Sequence, residues 1–338
     1  MDVVIHLGAH RTGSTALQRS LATGAARLEA AGVRYARREA MRRPLHVAML
    51  AAEARGPVGR GARAAAARAL RTWARRQEAA GVSRLILSEE ELPGVMDDCL
   101  TGEGPYPRAA RRLSLLAEAF APWRVRAAAA LREPADWVAS TWGFSASRRD
   151  PRRRDRRDLA AVRRAWLEGG RGWADFASDA AGSFGEASFW RADLYAAAPR
   201  RVHRLLAGEA GAGLRRIGGA TTKPGPTAPA MAELDRLRAD GGRIPRGTLK
   251  AVLRRFPPGA HPKFDPWSAA ERAVLAARWA EELATIRARG LTVLAPPEPG
   301  ATDGDEDRAR ADPRGFMDGA DARETRDRAE ARLKGGSA

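Results

Sequence analysis

The chain has 338 residues, which at roughly 100–200 residues per domain accommodates one large domain or two of ordinary size. Hydrophobic residues make up 44% and aromatics only 6%, so the expected core is Ala, Leu and Val with the nine Trp as bulky exceptions. The net charge is +18, only Lys223, Lys250, Lys263 and Lys334 of the 59 basic residues are lysine, and Cys99 is the sole cysteine. The charge favours anionic partners without establishing nucleic-acid binding, and a single cysteine excludes an internal disulfide or a multi-cysteine metal site.

The first segment, VVIHLG from Val3, is short, apolar and β-branched, and His6 interrupts it too soon for a signal-peptide core. It leads through Gly8 into AHRTGSTALQRSLATGAARLEAAG, where Ala16, Leu17, Leu21, Ala25 and Leu28 recur at helical spacing. Gly32 is expected to end that helix, and VRY reads as the next strand. Residues 60–80 read as a helix, Arg84–Ser88 as a strand, 107–121 as a helix and Trp123–Leu131 as an alanine-rich strand. Pro134 then opens a helix at a position that tolerates proline. A helix over 171–184 precedes a strand at Ala187–Arg191, and from about residue 228 the pattern is mainly helical. Alternating strands and helices predict an α/β fold, three layers deep, with a central and mostly parallel sheet.

Two segments stand apart. Arg148–Asp158 holds seven arginines and three aspartates with no apolar residue; it reads as a solvated loop or as an arm for a polyanion. From about Pro296 the chain is polar and rich in Pro, Gly and mixed charge. A domain over 1–300 and an unpacked tail over 301–338 are expected, because the tail has too little apolar surface to offset its ordering entropy. No run approaches the ~18–20 apolar residues of a membrane span, so a cytoplasmic protein is expected. The histidines His6, His10, His46, His203 and His261 show no metal spacing, and no metal site is expected.

Gly8-Ala9-His10-Arg11-Thr12-Gly13-Ser14-Thr15 has the outline of a phosphate loop between a strand and a helix. Unpaired N–H groups and the helix dipole favour an anion there. A nucleotide triphosphatase loop, GxxxxGK[ST], requires lysine where this chain has Ser14. The nearest cation is Arg11, inside the loop.

The stretch HLGAHRTGSTALQ resembles the 5′-phosphosulfate loop of sulfotransferases that use 3′-phosphoadenosine 5′-phosphosulfate (PAPS), worded H-x-G-x-x-K-[TS]-G-[TS]-[TS]. Arg11 stands where that family has lysine, keeping the charge but replacing a compact ammonium with a planar fork. Leu131-Arg132-Glu133-Pro134-Ala135-Asp136 through Ser140 is similar to the family's 3′-phosphate element, R-[DN]-P-x-[DE]-x-x-x-S. An arginine at a strand end and a serine two turns into the next helix can converge on one phosphate. In RLILSEEEL, Glu90 matches the position of a family carboxylate able to deprotonate an acceptor; the same residues also suit a helix start. His46 is the competing base.

The resemblance implies a P-loop-like sulfotransferase topology and sulfuryl transfer from PAPS to a hydroxyl or amine of a glycan or small metabolite. Arg11 and the N–H groups of Thr12, Gly13, Ser14 and Thr15 would hold the phosphosulfate. Arg132 and Ser140 would hold the 3′-phosphate, and Glu90 or His46 would serve as base. Trp142 is a candidate to stack on adenine or a core residue. The rival readings are an ATP-dependent P-loop kinase and a non-enzymatic polyanion or nucleic-acid binder.

Overall fold

The computed structural model describes residues 1–146, 157–218, 225–239 and 244–297. The compact unit runs Met1–Pro296. The expected tail over 301–338 lies outside the described residues, as does most of the arginine cluster, over 147–156.

Among the described residues six parallel strands form one sheet: β1 (Asp2–His6), β2 (Val33–Ala36), β3 (Arg84–Ser88), β4 (Arg124–Leu131), β5 (Ala187–Arg191) and β6 (Thr292–Leu294), in the order 2-3-1-4-5-6. Helices α1 (Ser14–Thr23), α2 (Ala25–Ala30), α3 (Arg38–Glu53), α4 (Gly56–Ala79) and α5 (Ala109–Phe120) belong to the first half. They are followed by α6 (Pro134–Ala146), α7 (Leu159–Leu167), α8 (Trp173–Phe184), α9 (Leu194–Ala197) and α10 (Pro199–Ala207). The last are α11 (Ala228–Ala239), α12 (Arg246–Arg255) and α13 (Ala269–Ala288).

Strand alternation divides the core in two. Val3 and Ile5 of β1, Leu85 and Leu87 of β3, Ala127 and Ala129 of β4 and Phe189 of β5 face a layer holding α4, α5, α8 and α13. Val4, Ile86, Ala128, Ala130 and Trp190 face the opposite way, onto Leu17 and Leu21 of α1, Leu28 of α2 and Val202 and Leu206 of α10. The result is the expected three-layer α/β arrangement. The small side chains of β4 leave room for a knot of large rings: Trp137, Trp166, Trp173, Phe176 and Tyr106 pack with centroids 4.7–6.5 Å apart.

The helix expected to run to Gly32 breaks at Gly24 instead. A Cβ at Gly24 would lie 2.1 Å from Leu214 Cδ2, so the glycine lets the distant segment around Leu214 close over α1 and α2. The strand at Ala187–Arg191 forms as expected, but the sequence reading did not include its neighbour β6, which extends the sheet by only three residues.

Candidate functional site

In this strand order the chain leaves β1 toward β2 on one side and leaves β4 toward β5 on the other. Open parallel sheets bind ligands at the carboxyl ends of strands where such connections diverge. A cleft of about 520 Å³ lies there, within the ~300–1,000 Å³ range of small-molecule sites.

The loop after β1 forms one wall. Leu7 N–H donates to Ala128 O at 2.8 Å and Ala130 N–H to Gly8 O at 2.6 Å, so the ladder to β4 carries past the strand end. The chain then turns through Gly8 (φ 98°), Arg11 (φ 62°) and Gly13 (φ 96°). Left-handed backbone is strained for an arginine, and this strain is held by several bonds. His10 N–H donates to the Tyr106 hydroxyl at 2.7 Å, Trp137 Nε1–H to His10 O at 2.9 Å, and Thr12 Oγ1–H to Ala9 O at 2.6 Å. Gly13 caps α1 with no side-chain acceptor, and Gly13, Ser14, Thr15 and Ala16 line the cleft. The first-turn N–H groups of α1 thus face the cleft in the manner of an anion site.

Arg11, Thr12, Gly13, Ser14, Thr15, Arg132, Ser140 and Glu90 all line the same cleft. Arg11 Nε–H donates to Ser140 Oγ at 3.0 Å, and its guanidinium lies 4.7 Å from the Phe144 ring centroid. Arg132 Nη1–H donates to Arg11 O at 3.0 Å. The two motifs, more than a hundred residues apart in sequence, are therefore hydrogen-bonded to each other. Ser14 does not supply a cation; its hydroxyl donates to Ala9 O at 3.3 Å.

Among the described residues four carboxylates line the cleft: Glu90, Glu133, Asp136 and Asp193. Glu133 caps α6, accepting from the N–H groups of Ala135 and Asp136 at 3.1 and 2.9 Å. Asp136 pairs with Arg132 at 3.8 Å and Arg272 at 3.3 Å, and Asp193 pairs with Arg191 at 2.6 Å. Glu90 stands directly over the loop, its Cβ 3.1 Å from where a Cβ on Gly8 would lie. His46 is exposed on α3 and is not among the lining residues. The reason is helical phase: α3 buries Met41, Leu45, Ala48 and Met49, which turns position 46 outward. Trp142 does not line the cleft either; the Arg157 guanidinium covers its ring at 5.5 Å.

Sequence reading missed three further cations on the cleft wall, Arg191, Arg216 and Lys263. Arg191 ends β5 as Arg132 follows β4, and that shared strand-end placement was its available signal. Arg216 is carried by a segment that Ser20 of α1 holds: Ile217 N–H donates to Ser20 Oγ at 2.8 Å. Tyr195 donates its hydroxyl proton to the same oxygen at 3.0 Å and lies under the Arg216 guanidinium at 5.8 Å. Burial pushes the Tyr195 hydroxyl up to about 12, so it stays a donor. Among the described residues no group of three or more His, Cys, Asp and Glu is placed to hold a metal ion, and no helix is long and apolar enough to cross a membrane.

No family model, curated protein or solved structure matches the chain.

Proposed function

We propose that the protein is a sulfotransferase that moves a sulfuryl group from PAPS to a hydroxyl or amine of a glycan or small metabolite. The observation that carries this reading is the meeting of the Arg11 loop with the Arg132/Ser140 pair in one cleft, joined by the Arg11–Ser140 and Arg132–Arg11 hydrogen bonds. The strand order, with the loop-bearing β1 between β3 and β4, supports the P-loop-like topology that the resemblance implies.

PAPS supplies the sulfuryl group. The first-turn N–H groups of α1 and the Arg11 guanidinium hold the phosphosulfate and stabilise the negative charge that grows on the bridging phosphate oxygen as its bond to sulfur breaks. Glu90 takes the acceptor's proton as the acceptor atom bonds to sulfur from the opposite side. Arg132 and Ser140 hold the 3′-phosphate.

Arg132→Ala provides the test. A charge-assisted arginine–phosphate contact contributes about 1.5–3 kcal/mol, roughly tenfold to a hundredfold in affinity. Calorimetry should show that loss for 3′-phosphoadenosine 5′-phosphate and almost none for adenosine 5′-phosphosulfate. Equal losses for both would reduce Arg132 to a brace of the loop, and a wild-type protein indifferent to the 3′-phosphate would end the PAPS assignment.

A further inference from the structure

We propose that the outward face of the α3–α4 corner is a docking surface for an anionic lipid bilayer. The corner exposes three large apolar side chains that a water-facing helix pair has no structural use for: Val47 at 54%, Leu50 at 56% and Val58 at 85% exposure. At 100° per residue, Arg43, Val47 and Leu50 fall on one side of α3, opposite the buried Met41, Leu45, Ala48 and Met49. Val58 lies in the first turn of α4, just across the corner.

Exposed arginines lie on the same segments: Arg42 and Arg43 on α3, Arg55 between the helices and Arg60 on α4. Arg43, Arg55 and Arg60 have no ion pair with any described residue, and Glu53, the acid at the corner, turns inward to Arg108 and Arg112. Exposed apolar side chains on segments that also carry exposed cations match an interface in which acyl chains lie beneath phosphate and carboxylate headgroups. A second copy of this chain is a poor occupant, because it carries the same +18 charge.

The surface is preformed. Arg111 of α5 clamps the corner by donating to the carbonyls of Ala52 and Ala54 at 2.9 and 2.8 Å. Arg42 reaches Glu91 at 3.5 Å, the residue next to the cleft-lining Glu90.

Co-sedimentation of the full chain with phosphatidylcholine vesicles, with and without phosphatidylserine, tests this at physiological ionic strength. The wild type should partition at least tenfold better onto the anionic vesicles. The variant Val47→Ser/Leu50→Ser/Val58→Ser leaves the charge unchanged and should lose at least tenfold in partitioning; Arg43→Ser/Arg55→Ser/Arg60→Ser should lose as much. Val58→Ser alone, at the most exposed of the three sites, repeats the apolar test with the least risk to folding. Three results overturn the proposal: a wild type that ignores anionic vesicles, apolar variants that bind as well as the wild type (adsorption by net charge alone), or a wild-type dimer on gel filtration that the apolar substitutions dissolve. Vesicle binding and nucleotide selectivity are separate readouts, so this surface and the sulfotransferase reading can fail independently.

Discussion

Arg11 is held from three directions. Its Nε–H is bonded to Ser140 Oγ, its guanidinium lies over Phe144, and its own carbonyl accepts from Arg132. A lysine could keep the charge but has no Nε–H to give Ser140 while its terminal nitrogen faces the cleft. This gives the arginine a geometric role besides its charge. Arg11→Lys and Ser140→Ala should each weaken binding of 3′-phosphoadenosine 5′-phosphate, by roughly tenfold if each removes about one hydrogen bond's worth of interaction. The double variant should be only slightly weaker than either single one. Groups in direct contact usually show interaction energies of about 0.5–3 kcal/mol. A calorimetric double-mutant cycle that came out additive would mean that the Arg11–Ser140 bond does not operate in the nucleotide complex.

At the scale of elements, three indoles tie down the segments that carry the site. Trp137 Nε1–H donates to His10 O at 2.9 Å, Trp173 Nε1–H to Arg132 O at 2.8 Å and Trp267 Nε1–H to Ala135 O at 3.1 Å. Trp166 belongs to the same knot of rings, but its Nε1 is buried with no hydrogen-bond partner among the described residues. That contrast separates packing from hydrogen bonding. Trp173→Phe and Trp166→Phe remove similar ring volume, but only the first orphans a carbonyl. Leaving a buried polar group unpaired costs about 1–3 kcal/mol. The Arg132 carbonyl is partly buried, so denaturant titration should find Trp173→Phe the more destabilising by up to about 1 kcal/mol, and calorimetry should find that it alone weakens nucleotide binding through the displaced Arg132. Equal stability losses would reduce the Trp173 bond to a packing contact.

These ties also mark what local sequence could reveal. The loop glycines, the strand before them and the Arg132–Ser140 spacing were readable because each lies within one strand–loop–helix unit. The break at Gly24 was not, since the atom that forbids a side chain there belongs to Leu214. Arg216 reaches the cleft on a segment that Ser20 of α1 holds through Ile217, a pairing that no periodicity announces. His46 allowed two readings, a competing base or an exposed histidine, and local sequence could not choose between them. The resemblance offers it as a base, and the phase of α3 turns it to solvent, the exposed alternative.

At the scale of the whole molecule, the sheet's polar interior sets an acid limit. His6 ends β1 at 1% exposure, stacked on Trp190 with ring centroids 5.4 Å apart, with Nδ1 2.7 Å from Ser88 Oγ. Burial pulls its pKa down to about 4, and that of His203 to about 4 as well. Both rings are neutral when folded and take up protons near 6.5 when unfolded. Between those values the unfolded chain binds more protons, so stability rises with pH through this window. The contribution is fully present above about pH 6.5 and is lost as pH falls toward 4. For His6 it is on the order of 3 kcal/mol. Glu282 acts in the opposite sense: burial raises its pKa, so the folded state holds that proton longer and gives up stability as pH rises past the ordinary carboxylate range. Comparing variants at each pH removes this background. His6→Gln should be less stable than the wild type at pH 7, because a packed ring is lost, yet the gap should narrow steadily from pH 6.5 to 4. Melting temperatures in that series check it. A gap that stays constant across the window would mean that His6 takes up its proton in the folded sheet as readily as in the unfolded chain.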